Sequence, residues 1–176
     1  MRRNWQKWEL TGLFFTIGVG NLLHFVYQWS GEQPLVAAVS GTNESTWEHM
    51  KLLAVPWLVW TAVELFALRG ERVLALRAAG LVTGLLLIPT LYYTYTGALG
   101  VSSSLVNIAI FQLAVLSGFG VTRYLWERRW LSTAAWQIPG AAVLLAAAVL
   151  FVRWTFAPPP LPLFIDPVTG AAGIKR

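Results

Sequence analysis

The only two histidines in this 176-residue sequence, His24 and His49, fall near the same predicted end of two apolar helices. His49 closes the polar run Asn43–His49 (NESTWEH), in which Glu44 and Glu48 are four residues apart and can share one helical face. Two imidazoles with one or two carboxylates suit zinc, and manganese or iron accepts the same mixture. We therefore predict a divalent metal site formed by His24, His49 and Glu48, with Glu48 or Glu44 as the general base that activates water.

The same run also fits interpretations that need no metal. Ser45 to Glu48 matches S-x-x-E, a capping box that opens a helix. The two histidines fit a hydrogen-bonded polar cap at the membrane surface, and a haem between His24 and His49 is a further alternative. The sequence contains no H-E-x-x-H motif. Capping alone and capping combined with function therefore both stay open.

Other polar residues gather at this end of the predicted bundle. Asn21, His24 and Gln28 follow helical spacing on the first helix, so they lie on one face. Arg153 and Lys51 are candidates for binding the phosphate or carboxylate of an anionic lipid headgroup, with Arg153 as the anion clamp. They are equally candidates for neutralising the nearby carboxylates. The predicted ligand-binding residues are Asn21, Asn43, Tyr95, Asn107, Arg153 and Asp166.

Composition assigns the chain to the membrane. Hydrophobic residues make up 56% and charged residues 12%, and the mean hydropathy is +0.58. Soluble domains carry about 25% charged residues, so a disordered chain is excluded and a soluble globular one is disfavoured. The absence of cysteine excludes disulfides and thiolate metal sites.

Five apolar stretches reach the length of about 20 residues that a membrane helix needs. They cover approximately residues 10–29, 47–68, 78–97, 103–124 and 134–156. Their short connections favour antiparallel neighbours in a compact bundle. The predicted fold is an all-α integral membrane protein, with residues 1–176 forming a single transmembrane domain of five helices.

Basic residues predict the orientation of the helices. Nine of the 13 lysines and arginines share one predicted side: Arg2, Arg3, Lys7, Arg69, Arg72, Arg77, Arg123, Arg128 and Arg129. By the positive-inside rule this side is cytoplasmic, so the N terminus is inside and the C terminus outside. The net charge of +5 therefore reflects topology and is no longer evidence for binding of nucleic acid.

The cytoplasmic half is predicted to hold little chemistry. Glu64 is its main polar group, and we expect this side chain to snorkel or to pair with Arg69. Small-solute or ion transport would require a continuous polar path from the outer end to Glu64.

Proline and glycine residues affect the predicted shape of the helices and of the tail. Pro56 and Pro89 are expected to kink their helices, and the G-x-x-x-G motif that starts at Gly80 predicts close helix packing. Prolines in the tail, residues 157–176, favour an extended strap. Asp166 in this strap either folds back over the outer mouth of the bundle or stays in solvent.

From its first helix to its tail, the chain resembles an uncharacterised family of small, mainly bacterial multi-pass membrane proteins, a domain of unknown function. The most specific motif is the NESTWEH run of Asn43–His49. Supporting segments are Leu23–Phe25, Tyr93–Gly97 (YTYTG) and Pro160–Gly170 (PLPLFIDPVTG). The resemblance implies an integral protein of a bacterial inner or plasma membrane and supplies no mechanism.

These observations predict a polar pocket at the extracytoplasmic face that binds a metal or an anion. The leading hypothesis is hydrolysis of a lipid or lipid-linked substrate, with zinc as the candidate cofactor. The alternatives are a non-catalytic accessory or structural subunit of a membrane complex, and a small-solute transporter. The expected partners are the lipid bilayer and a lipid or anionic headgroup.

Overall fold

The computed structural model describes residues 2–68 and 72–174, with side chains from Trp5 onward. Its helices are α1 (Arg2–Trp29), α2 (Pro34–Ala37), α3 (Thr46–Ala67), α4 (Leu74–Leu99), α5 (Ser104–Glu127) and α6 (Ala134–Phe156), followed by a 3-10 turn (Pro162–Phe164). These ranges contain no strand beyond an isolated antiparallel bridge between Ile165 and Ala172. Three basic positions of the orientation argument lie outside the described residues or side chains: Arg2, Arg3 and Arg69.

The five long helices are all long and apolar enough to cross a membrane, which confirms the predicted all-α fold. Helices α1 and α4 begin before the predicted spans, at Arg2 and Leu74. Each of these added turns carries a buried charged residue, Glu9 or Arg77, which a hydropathy window excludes. Inside the bundle Arg77 lies beside Glu9. The short helix α2 lies in the connection after α1 and was not predicted.

Helix α3 occupies the centre of the bundle, where it contacts α1, α4, α5 and α6. A helix that is apolar on all sides is stable only when it is surrounded, and α3 has this pattern. Leu53 and Trp57 on α3 form the core with Leu81 of α4 and Val115 of α5. Pro56 lies inside α3, and the helix continues on both sides of it.

Glycines bring α4 and α5 into direct contact. A Cβ atom on Gly80 would lie 2.6 Å from the carbonyl oxygen of Gly118, and one on Gly84 would lie 3.1 Å from that of Ala114. A side chain at Gly80 would force the backbones apart, and one at Gly84 would crowd them. The close packing predicted from the G-x-x-x-G motif is therefore confirmed.

The tail returns to the bundle as a strap, which we define as residues 158–174. Phe164 in its 3-10 turn is buried against Trp47 and Trp154, at ring centroid distances of 4.7 and 5.5 Å. The strap therefore covers the first turn of α3. Following the predicted orientation, we call this end of the bundle the outer end and the opposite one the inner end.

Candidate functional site

Glu44 joins the two histidines at the outer end. Its Oε1 atom is 3.5 Å from His24 Nε2 on α1, and its Oε2 atom is 3.6 Å from His49 Nε2 on α3. The two imidazole centroids are 5.7 Å apart. The side chains are 49% exposed at Glu44, 32% at His24 and 21% at His49. These three residues, named the outer cluster, are partly open to solvent.

A backbone contact orients the His49 ring. Its Nδ1 atom lies 3.0 Å from the carbonyl oxygen of Ser45, one helical turn earlier. Because a carbonyl oxygen can only accept, Nδ1 carries the proton, and the neutral ring then presents the lone pair of Nε2 to Glu44. A nitrogen lone pair facing a carboxylate oxygen is repulsive. A hydrogen-bond donor or a cation between the two atoms makes the contact favourable.

Asn43 connects the loop that carries Glu44 to the strap. Its Oδ1 atom accepts from the backbone N–H of Ser45 at 2.9 Å, and its Nδ2 atom donates to the carbonyl oxygen of Gly173 at 3.1 Å. Ser45 then caps α3, since its Oγ atom accepts from the backbone N–H of Glu48 at 3.3 Å. The capping role predicted for Ser45 is confirmed.

Asp166 makes the second connection between strap and loop. It is buried, and its carboxylate accepts from the Val168 amide and the Thr169 hydroxyl, both at 2.8 Å, and from the Glu44 amide. Burial by itself would raise the pKa of Asp166, but these hydrogen bonds hold it below the ordinary aspartate value. Asp166 thus folds back over the outer end, where it positions Glu44 through the backbone.

Glu48, which the sequence placed with His24 and His49, is paired with Lys51 in this structure. The Glu48 Oε2 atom is 2.6 Å from Lys51 Nζ, and both side chains are buried. Lys51 Nζ also donates to the carbonyl oxygen of Ala37 at 2.8 Å and to Thr155 Oγ1 at 2.9 Å. Successive residues on a helix point about 100° apart, so Glu48 faces α2 and α6 while His49 faces Glu44. Glu48 and Lys51 therefore tie α3 to its neighbours.

An open cleft adjoins the outer cluster between α3, α4 and α5. It is shallow and open to the surroundings. Polar and apolar groups line it together: Glu44, Thr46, His49, Ile88, Tyr92, Asn107, Ile110 and Phe111. The polar cluster therefore continues into an apolar recess between membrane helices.

The remaining predicted ligand-binding residues are divided between this cleft and other places. Asn107 lines the cleft, and its Oδ1 atom accepts from the hydroxyl of Tyr95. Asn21 donates to the carbonyl oxygen of Ile17 at 2.7 Å within α1. Arg153 is exposed on α6 and does not line the cleft. With Lys51 committed to Glu48, the cleft lining contains neither lysine nor arginine.

A second charged cluster, which we name the inner cluster, consists of Glu9, Glu64 and Arg77. Arg77 Nε donates to Glu64 Oε2 at 2.6 Å, and Arg77 Nη2 donates both to Glu64 Oε1 and to Glu9 Oε1. Trp60 Nε1 adds a hydrogen bond of 3.1 Å to Glu64 Oε1. The side chain of Arg77 is only 1% exposed. This cluster overturns the expectation that the cytoplasmic half holds little beyond basic loops.

Aromatic rings enclose the guanidinium of Arg77. Its Cζ atom lies 4.9 Å from the ring centroid of Phe119 and 5.6 Å from those of Trp5 and Trp57. Such contacts favour a desolvated cation. Arg77 Nη1 is buried and has no hydrogen-bond partner among the described residues.

Sequence reasoning missed the inner cluster for a definite reason. Arg77 was counted among the loop residues, although its neighbours Ala75, Leu76 and Ala78 are apolar and fully compatible with a buried helix. Two carboxylates near span ends, Glu9 and Glu64, are the signal that could have suggested a buried cation between them. The pairing of Glu64 with Arg69 was not testable, because Arg69 lies outside the described residues.

The side chains of the outer cluster do not form a complete metal site in this arrangement. In the described part of the chain, no group of three or more His, Asp or Glu side chains is set up to hold a metal ion. Ligand atoms about 2.0–2.2 Å from one tetrahedral ion lie about 3.3–3.6 Å from each other. The two N···O separations of 3.5 and 3.6 Å are of this size.

The fold and its two charged clusters define the class: a polytopic, all-helical membrane protein with polar chemistry at both ends of the bundle. The chain belongs to the family of unknown function DUF6512, whose family model matches residues 1–174. This confirms the predicted membership in a domain-of-unknown-function family. The chain matches no curated protein and no solved structure.

Proposed function

We propose that this membrane protein binds a divalent metal cation such as zinc at its outer face, with His24, His49 and Glu44 as ligands. The observation that carries the proposal is the arrangement of two imidazole Nε2 atoms against the two oxygens of one carboxylate. Glu44 lies in a loop and is half exposed, so its side chain can rotate to let all three groups reach one ion. The Ser45 carbonyl on His49 Nδ1 is the outer-shell partner that metal-binding histidines usually have.

Charge favours a cation over the anionic headgroup of the earlier hypothesis. The outer cluster has one permanent charge, the carboxylate of Glu44, and its imidazoles are neutral when they act as ligands. Two cations were expected to attract an anion. Lys51 is paired with Glu48, and Arg153 is exposed on α6. A positive ligand therefore fits this cluster better than a phosphate or carboxylate.

The cleft suggests what the metal would act on. Two histidines and one glutamate form a ligand set of hydrolytic zinc enzymes, in which a further position is kept for water. The recess beside Glu44 continues to Ile88, Ile110 and Phe111. An amphipathic molecule fits such a lining, and hydrolysis of a lipid or lipid-linked ester is the reaction we propose for the metal-loaded protein.

Metal binding is tested on the detergent-purified full chain. Elemental mass spectrometry after zinc loading and dialysis should find about one zinc per chain, and competition with a chromophoric chelator gives the affinity. We expect His24→Ala, His49→Ala and Glu44→Gln each to weaken zinc binding at least about 10-fold. Glu32→Gln, which neutralises an exposed carboxylate in the loop after α1, is the matched control and should bind as the wild type does.

A wild-type protein that retains no zinc, or an affinity unchanged by the two histidine substitutions, would overturn the proposal. It would favour the alternative of a non-catalytic subunit whose polar cap closes the bundle. Hydrolysis is measured separately, as zinc-dependent release of a fluorescent acyl group from an ester phospholipid in vesicles. It should vanish in Glu44→Gln and persist in Glu32→Gln.

The proposal also requires the outer cluster to face away from the cytoplasm. The chain has no cysteine, so single cysteines report on sidedness without background. A membrane-impermeant maleimide on intact cells should label Gln33→Cys, which is exposed beside α2, and should not label Glu127→Cys at the inner end. The reverse labelling pattern would invert the orientation.

A further inference from the structure

The inner cluster contains more negative than positive charge in a buried part of the bundle. Glu9, Glu64 and Arg77 are all buried, and two ionised carboxylates beside one guanidinium would leave a net charge of −1. An uncompensated charge at such a site is costly, and a carboxyl group avoids this cost by taking up a proton. The geometry decides which of the two carboxyl groups takes it.

Glu64 has the contacts of an ionised carboxylate. Arg77 donates to both of its oxygens in a bidentate pair, and Trp60 donates a third hydrogen bond. Bidentate, charge-assisted bonds of this kind are the strongest that a carboxylate forms with a side chain. A proton on Glu64 would break one of them.

A negative charge on Glu9 would be neutralised much less well. Its Oε1 atom receives only Arg77 Nη2, which it shares with Glu64. The charged groups around it are Glu64 on α3, Arg77 on α4 and, at longer range, Arg123 on α5. Arg123 is exposed and already paired with Glu127 at 2.9 Å. The positive charge of Arg77 is therefore mainly neutralised by Glu64.

We propose that Glu9 is a proton-binding site, and that it carries the exchangeable proton that makes the inner cluster electrically neutral. In the exchange the O–H bond of the Glu9 carboxylic acid breaks, the electron pair stays on the carboxylate, and the proton passes to water at the inner end. Arg77 Nη1, buried and without a partner among the described residues, is the donor that a newly ionised Glu9 can recruit. When Glu9 releases the proton, Arg77 can therefore still neutralise part of the new negative charge. Intramembrane carboxyl groups with these properties are the elements that proton-coupled membrane proteins use.

Infrared spectroscopy of the full chain tests this assignment directly. At neutral pH the wild type should show the C=O band of a protonated carboxylic acid, which shifts in D2O because the acid proton exchanges. Glu9→Gln should lack this band. The control Glu127→Gln, which removes an exposed carboxylate at the same end, should keep it. A wild type without the band, or a Glu9→Gln protein that keeps it, would overturn the proposal.

A second measurement separates the two carboxyl groups by stability. Glutamine has the shape and charge of a protonated glutamate, so Glu9→Gln should change the unfolding equilibrium constant by less than about threefold. Glu64→Gln removes the ionised partner of Arg77 and should lower the constant at least about 100-fold or prevent accumulation of folded protein. The opposite ranking would place the proton on Glu64 and would also overturn the proposal.

Discussion

The outer cluster places one carboxylate between two imidazoles, whereas the inner cluster places one guanidinium between two carboxylates. Their exposure differs as much as their charge, since Glu44 is 49% and Arg77 1% exposed. Water screens a partly exposed charge, so losing one partner in the outer cluster costs little folding free energy. In the buried inner cluster, losing Arg77 or Glu64 leaves a charge without compensation. The comparison indicates that the inner cluster holds helices together and that the outer cluster contributes little to folding stability.

The largest effect is expected at the centre of the inner cluster. Arg77→Met keeps much of the side-chain volume but leaves Glu64 and Glu9 without their shared cation. We expect a loss of about 3–5 kcal/mol in unfolding free energy, measured by denaturant titration in detergent. Arg123→Met, which breaks an exposed ion pair on α5, should cost less than about 1 kcal/mol. Equal losses in the two variants would contradict the difference drawn between buried and exposed charge.

The second prediction concerns the helix contact that keeps the inner half dry. Gly80→Ala would place a Cβ atom 2.6 Å from the carbonyl oxygen of Gly118, so α4 and α5 must separate. We expect a cost of about 1–3 kcal/mol in unfolding free energy and faster amide exchange around Arg77. Zinc binding at the outer end should stay unchanged. Gly120→Ala on α5 meets no atom within 4 Å and serves as the matched control.

The third prediction concerns the strap that positions the outer cluster. Asp166→Asn removes the carboxylate that accepts the backbone N–H of Glu44, so the loop should become more mobile. Outer-shell substitutions at metal sites lower affinity by about 10–100-fold, and we expect the lower end of this range for zinc. The helical content by circular dichroism should not change. Val168→Ala, at an exposed position of the same strap, should bind zinc as the wild type does.

The smallest effect is the acid sensitivity of the strap. Because the folded-state pKa of Asp166 lies below its ordinary value, the ionised form stabilises the docked strap at neutral pH. This stabilisation is fully present above the ordinary aspartate pKa of about 4 and is lost as the pH falls through the lower folded-state value. A spin label at Val168→Cys should become more mobile below about pH 4. In an Asp166→Asn background the label should be mobile already at neutral pH, and a pH-independent spectrum in the wild-type background would contradict the prediction.

The positions of the long helices and part of the outer cluster could be predicted from the sequence, because both depend on local patterns. Hydropathy over about 20 residues locates a membrane helix, and the S-x-x-E pattern locates the first turn of α3. The spacing of Glu44 and Glu48 also suggested a shared face, yet Glu44 precedes the helix and Glu48 lies within it. The two carboxylates therefore point to different partners, and only Glu44 meets the histidines.

The pairing within the inner cluster could not be predicted, because local sequence patterns do not show which charged residues meet. Arg77 and Glu9 are 68 residues apart, and Arg77 and Glu64 are 13 residues apart on different helices. A charged residue near a span end looks the same in a sequence whether it snorkels to water or turns inward. Only the helix that packs against it decides between these two environments.

The sequence by itself determined that this chain is a five-helix membrane protein with polar residues collected around the NESTWEH run. Hydrophobic transfer and helix capping depend on residues that are neighbours in the chain, so no tertiary information is needed for either. The tertiary structure alone decided that Lys51 neutralises Glu48, that the strap holds the loop of Glu44, and that Arg77 is buried between two carboxylates. Electrostatic pairing in a medium of low polarity depends on distance in space, which is set only when the helices have packed.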